Sequence, residues 1–404
     1  MSERRPIDVP CRHAIARTLS ALCGATIVAL LVGCRAPARP VEPGVTDDSV
    51  LIGMEGDAQS FSVDEENLGM HLVIAEVNDA GGVHGRVLVS RAYPRSGGAA
   101  ADEAVANARR LVDEDGVFLL FNFGGPQSVR VAEYAMQQRV PHLFPHTALV
   151  TADGQRYVFT SYPRYEGESA VMYRHLTEAR GFQRFAIVYA DNVYGTYFRD
   201  RLTAFTERDG RVLTGAAAVA ERRPVTFTEE LAALRATDPD ALILALYPEQ
   251  ARAVMAAKAA LDWSDVTIVS SGPLTDEQYL EAPGGYAQGT LGFCHYPDPL
   301  TSNEPGVERY RALMARYYPD RPVNRYSLYG YVFGRLVVEG LTRAGHDLTR
   351  ERFIDAMESI AEWESGGILP PVTFSPTDHH AQQAGYICEL RDGRFEPVTG
   401  WIEP

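Results

Sequence analysis

The feature that most limits how this chain can fold is a rhythm that runs through it twice. Short, almost wholly apolar runs alternate with amphipathic stretches of helical length, first between Val50 and Phe144 and again between Phe185 and Ser270. In the first pass strands are expected over 50–54, 87–93, 117–121 and 142–144, with helices over 67–77, 99–113 and 128–139. Leu68, Leu72 and Ala75 share one helical face, and Asn78-Asp79-Ala80-Gly81-Gly82 ends that helix with residues that tolerate positive φ. The second pass gives strands over 185–189, 211–219, 241–246 and 266–270, with helices over 195–208, 227–236 and 248–261. Apolar strands separated by helices argue for parallel sheets covered on both faces, so two α/β lobes are implied.

Three further helices are expected over 304–318, 325–344 and 349–360. Two β-like pieces follow Pro370-Pro371, over 372–374 and 385–390. If the helices return to the first sheet and the last strands cross again, the chain forms two doubly wound parallel-sheet lobes joined by a three-strand hinge. The expected partition is 48–160 with 297–371 for lobe 1, and 161–296 with 372–404 for lobe 2. Ligands of doubly wound sheets sit beyond the carboxyl ends of the strands, so a cleft between the lobes is the expected site.

The first 33 residues do not read as part of this fold. Arg4, Arg5, Arg12 and Arg17 precede an apolar run over 19–32 that is shorter than the roughly 20 residues needed to span a bilayer. This is the pattern of a secretion signal. Leu31-Val32-Gly33-Cys34 resembles the bacterial lipobox, which would make Cys34 a lipidated first residue and the protein membrane-tethered; an ordinary signal with an incidental cysteine is the alternative. Residues 34–47, with Pro37, Pro40 and Pro43, read as a flexible tether. Cys294 and Cys388 are left in an oxidising compartment where they could pair.

Charge narrows the partners. With 38 basic and 53 acidic residues the chain carries −15, the wrong sign for a nucleic-acid partner. Lys258 is the only lysine and lies in an alanine-rich helix, which leaves P-loop or Schiff-base chemistry without support. No Gly-x-Ser-x-Gly, His-Glu-x-x-His or Cys-x-x-Cys element is present. His379-His380, in a Pro- and Asp-containing loop, reads as solvated rather than as a metal site. The expectation is therefore no enzyme, no cofactor and no metal.

Specific runs then carry a family likeness. Val50-Leu51-Ile52-Gly53-Met54, Asn78-Asp79-Ala80-Gly81-Gly82-Val83-His84-Gly85, Gly124-Gly125-Pro126-Gln127-Ser128, Asp191-Asn192-Val193-Tyr194-Gly195 and Tyr247-Pro248-Glu249 follow one another in the order found in type I periplasmic binding proteins. The chain resembles their leucine/isoleucine/valine-binding branch from about residue 48 onward. The resemblance implies a monomeric, extracytoplasmic, hinged receptor that closes on a small polar molecule, an amino acid or related carboxylate or amide, and presents it to the permease of an ABC importer. The alternative use of the same fold is a ligand sensor or a lipoprotein that binds another envelope protein.

By that resemblance the ligand's carboxylate falls to two loops, 124–128 and 145–148. Gly125 lets backbone approach, Gln127 and Ser128 open a helix whose free N–H groups favour an anion, and His146 and Thr147 add donors. Phe61 would cover the ligand, and Tyr194 and Tyr247 would close over it from the second lobe. Asp191 is a candidate ammonium partner. After the strand over 266–270, where amino-acid binders of this branch carry an acid, the chain reads Ser271-Gly272-Pro273. Either Asp191, Asp276 or Glu249 replaces the missing charge, or the ligand is not an α-amino acid.

Overall fold

A computed structural model describes residues 42–57, 61–95, 101–220, 227–275 and 287–404. The expected signal, Cys34 and the start of the tether lie outside them. The last tether residues are not free: the Arg350 amide donates to Glu42 Oε1 at 3.1 Å, and Arg86 Nε donates to the Thr46 carbonyl at 2.7 Å.

Lobe 1 is built on a five-stranded, all-parallel sheet. Its strands are β1 (Ser49–Asp57), β2 (Val87–Arg95), β3 (Leu119–Phe121), β4 (His142–Leu143) and β5 (Val158–Phe159), in the order β2-β1-β3-β4-β5. Every side chain of β3 is buried, because helices cover both faces. These helices are α1 (Phe61–Asp79), α2 (Ala101–Arg109), which runs on into a wide turn over Arg110–Glu114, and α3 (Ser128–Gln138). The first of them starts earlier than the apolar period indicates. Its first turns bury two acids beside Val63: Glu65 pairs with Arg321, and Glu66 meets His146.

The chain then leaves for lobe 2 through α4 (Tyr165–Arg174), a helix the sequence reading omits. It returns later to cover lobe 1 with α8 (Pro305–Tyr317), α9 (Arg325–Ala344) and α10 (Arg350–Glu358). Helices α1 and α9 cross at backbone contact. A Cβ on Gly69 would lie 2.2 Å from the Ser327 carbonyl oxygen, and one on Gly330 would lie 1.9 Å from that of Glu66. No larger residue fits at either place.

Lobe 2 holds β6 (Arg184–Ala190), β7 (Val212–Val219), β8 (Ala241–Ala245) and β9 (Thr267–Ser270), alternating with α5 (Val193–Arg208), α6 (Thr228–Arg235) and α7 (Pro248–Ala260). Strands β10 (Leu291–Cys294), β11 (Tyr386–Arg391) and β12 (Arg394–Pro397) extend the sheet to seven, in the order β12-β11-β10-β9-β8-β6-β7. The last two pairings are antiparallel. A disulfide joins Cys294 to Cys388 across β10 and β11, with Cα atoms 5.9 Å apart.

Three connections tie the lobes, and they bond to one another. Thr160 pairs with His380 as an isolated parallel bridge, and the Ala381 amide donates to the Thr160 carbonyl at 2.9 Å. Gln382 Nε2 donates to the His295 carbonyl at 2.6 Å, and the Tyr386 hydroxyl to that of Tyr296 at 2.6 Å. One detail differs from the expected partition. Val372, Phe374 and Ala381 pack into the core of lobe 1, so the third crossing begins later than residue 372. The expected strand over 372–374 is reduced to a single bridge between Val372 and Trp363.

Candidate ligand-binding site

At the carboxyl end of the first sheet, Glu55 leaves β1 fully buried. Its Oε1 accepts from Arg95 Nε at 3.0 Å and its Oε2 from the Gly124 amide at 3.1 Å. The neighbouring Asn122, at φ 55°, donates from Nδ2 to the Val63 carbonyl and to Asn67 Oδ1, both at 3.1 Å. Loop 124–128 is thus held from below by a carboxylate that belongs to the chain itself. The two loops expected to hold an anion also satisfy each other. The Gly125 amide donates to the His146 carbonyl at 3.3 Å and the His146 amide to that of Phe123 at 3.2 Å. Gln127 Nε2 donates to the Gly124 carbonyl at 2.5 Å, and the Ser128 hydroxyl to the carbonyl of Phe123. Ser128 is therefore the first residue of α3, with Gln127 as its cap, and its hydroxyl turns inward.

His146 bonds through Nδ1 to the Glu66 carboxylate, and the Tyr162 hydroxyl donates to Glu66 Oε1 at 3.0 Å. Thr147 Oγ1 accepts from the Leu149 amide at 3.1 Å. The phenol of Tyr165, the first residue of α4, stands beside Thr147 and Ala148, so the start of this helix lies near the loop of lobe 1.

The second lobe supplies an aromatic face. The ring centroids of Tyr165 and Tyr194 are 5.2 Å apart, and those of Tyr194 and Tyr247 are 5.4 Å apart. Tyr194 bonds through its hydroxyl to Ser271 Oγ, which donates to the Leu244 carbonyl at 3.1 Å. Burial raises the phenols of Tyr165 and Tyr194, so both stay neutral. Tyr194 is buried, while Tyr247 stays 37% exposed at the rim.

One turn along α4 from Tyr165, Glu168 points into the same region. It is 4% exposed, and its Oε1 accepts from the Gly272 amide at 2.7 Å. Among the described residues it forms no ion pair. Burial pushes its carboxyl up to about 8, against the downward pull of that amide. His295 lies beside it, 4% exposed with neither ring nitrogen bonded, and burial lowers it to about 3. A Cβ on Gly272 would meet the Glu168 carboxylate oxygens at 3.6 and 3.7 Å and His295 Cε1 at 3.7 Å. Gly272 leaves room that any other residue would fill.

The candidate residues therefore divide. Gly125, Gln127, Ser128, His146 and Thr147 come together on one lobe, and Tyr194, Tyr247 and Ser271 on the other. Asp191 is exposed, with its amide on the Val219 carbonyl at 2.9 Å, and Glu249 is exposed in the first turn of α7. Asp276, like the side chain of Phe61, lies outside the described residues. An acid from another element does lie at the position after β9: the Glu168 carboxyl rests on Gly272, directly after Ser271. His379 and His380 are not solvated: they are 2% and 6% exposed. His379 stacks on Phe159 with centroids 3.9 Å apart, and His380 Nδ1 lies 2.8 Å from Asp378 Oδ1. No cluster of metal-ligating side chains occurs among the described residues, and no described helix is long and apolar enough to cross a membrane.

Comparison with known proteins bears on the family and the fold. The family model described as "Periplasmic binding protein" matches residues 50–394. Among solved structures, the fatty acid ABC transporter substrate-binding protein from Thermomonospora curvata is 22% identical with a TM-score of 0.77, over 90% of this chain and 94% of that one. A branched chain amino acid ABC transporter protein from Thermus thermophilus with bound valine is 14% identical with a TM-score of 0.77, over 88% and 97%. A possible leucine/isoleucine/valine-binding protein from Rhodopirellula baltica is 20% identical with a TM-score of 0.75, over 90% and 98%. At these identities the likeness is one of fold. No curated protein matches the sequence.

Proposed function

Because the chain belongs to the periplasmic binding protein family, an extracytoplasmic class, we propose that it captures a small polar solute between its two lobes by hinge closure and delivers it to an ABC importer. The observation that carries this reading is the hinge: the crossings between the lobes bond to one another, the Ala381 amide to the Thr160 carbonyl and Gln382 to the His295 carbonyl, and Tyr165 at the start of α4 stands beside Thr147 and Ala148 of lobe 1. A solute that touches both lobes stabilises only the arrangement in which both contacts exist. Gly125, Gln127, Ser128, His146 and Thr147 would face it from lobe 1, with Tyr194, Tyr247 and Ser271 from lobe 2. Cys34 would carry the lipid that holds the protein at a membrane, after removal of residues 1–33.

A second reading has one observation in its favour. The loops over 124–128 and 145–148 are largely satisfied by the chain's own groups, as in a sensor or an envelope-protein-binding lipoprotein that uses the fold without transport. A thermal-shift panel of amino acids, amides, carboxylates, polyols and amines separates solute binding from the binding of an envelope protein. A solute that binds only the folded state stabilises it by about 2.7 kcal/mol at 100 times its Kd. A shift with at least one solute class supports capture; a flat panel favours a protein partner.

A further inference from the structure

Two halves of the cleft differ in what they still lack. On lobe 1 the donors that would hold a carboxylate are engaged: Gly124 by Glu55, His146 by Glu66, and the Ser128 hydroxyl by Phe123. A ligand carboxylate placed there would compete with bonds already made and meet Glu55 and Glu66, which carry its own sign. On lobe 2 the balance is reversed. Glu168 is buried with the Gly272 amide as its partner and forms no ion pair among the described residues, and His295 beside it has both nitrogens unbonded. Tyr194, bonded to Ser271 next to Gly272, and Tyr165, one turn before Glu168 on α4 and 5.2 Å from the Tyr194 ring, stand on the same side as this carboxyl, and an aromatic wall beside a carboxylate is the surface that holds an ammonium group.

We propose that Glu168, walled by Tyr165 and Tyr194 and floored by Gly272, is the anionic anchor of a cation subsite, and that the solute is an organic ammonium without an adjacent carboxylate. The inference rests on the capture reading above and narrows its solute class. The ammonium displaces the proton of the buried carboxyl, which leaves to solvent, so the site stays charge-neutral on binding. Its entry requires hinge opening, because closure leaves Glu168 almost without solvent contact.

Calorimetric titration of the full chain with matched sets tests this. Each set holds an amino acid, the amine that lacks its carboxylate and the acid that lacks its amine: valine, isobutylamine and 3-methylbutanoate; phenylalanine, phenethylamine and 3-phenylpropanoate; choline is added as a quaternary cation. The expected result is binding of at least one amine or choline, tighter than its amino acid and acid partners, and weakened at least about 30-fold in Glu168→Gln. Gln keeps the shape and the acceptor for Gly272, so its melting temperature at pH 6.5 serves as the folding control. Binding of an acid or amino acid in preference to its amine overturns the cation subsite and leaves capture standing. Equal amine binding in Glu168→Gln overturns the role of Glu168. Silence from all cations overturns the proposal, and silence from the wider solute panel as well overturns capture.

Discussion

Replacing Glu168 by Gln should change how stability depends on pH in a way that no other single substitution in the cleft does. The carboxyl sits at about 8 in the fold against an ordinary 4.5, the result of burial. A raised carboxyl favours the fold while protonated. Its contribution is complete below about pH 4.5 and is lost as pH rises through about 8. Each pH unit in that window is worth about 1.4 kcal/mol, which sets a ceiling of about 5 kcal/mol over the whole interval and about 3 kcal/mol between pH 5.5 and 8. His142 and His295, both near 3 through burial, act in the opposite sense and lose their contribution as pH falls through 6.5. The difference between the parent protein and Glu168→Gln cancels the histidines. Urea unfolding at pH 5.5, 6.5 and 8 should show the Gln variant gaining about 2–3 kcal/mol on its parent across that range. The groups facing Glu168 do not interfere, since the Tyr165 and Tyr194 phenols stay neutral there and His295 is uncharged. Parallel stability curves for the two proteins would refute a buried, unpaired carboxyl at this position.

Other consequences can be measured separately. Arg95→Met leaves Glu55 buried without its cation and should cost about 3–5 kcal/mol in urea unfolding, whereas an exposed pair such as Arg130 with Asp102 should be nearly silent when broken. Tyr165→Phe removes the hydroxyl that stands beside Thr147 and Ala148 and should enlarge the solute-free protein in small-angle scattering without lowering its melting temperature by more than a few degrees. Reducing Cys294–Cys388, which closes a separation of 94 residues, should lower stability by up to about 5 kcal/mol in the chain-entropy account; an unchanged melt in reductant would contradict the bridge.

Much of this architecture is legible in the residues. The twice-run βαβ rhythm predicts both lobes, and α9 over Arg325–Ala344 falls where its apolar period places it. The parts that escape are those where burial is polar. Helix α1 begins six residues earlier than its apolar face indicates because Glu65 and Glu66 are buried against Arg321 and His146. Helix α4 is hidden by Gly167 and Ser169, poor helix formers, although Tyr165, Glu168 and Met172 recur at helical spacing after Pro163 and could have marked it. Missing α4 hides Tyr165 and Glu168, the residues on which the cleft turns. Glu55 is equally invisible, since its partner Arg95 lies 40 residues away and only the pairing of β1 with β2 brings them together. Gly272 illustrates the opposite case: the missing charge after β9 is plain in the sequence, but the space left for another residue's carboxyl is a property of the fold.

Capture by closure is the central claim, and small-angle scattering of the full protein with and without a solute that raises its melting temperature tests it most directly. The account predicts a smaller radius of gyration at saturating solute, with the change following the same concentration dependence as the thermal shift. A solute that binds and stabilises the protein while the scattering curve stays unchanged would contradict it.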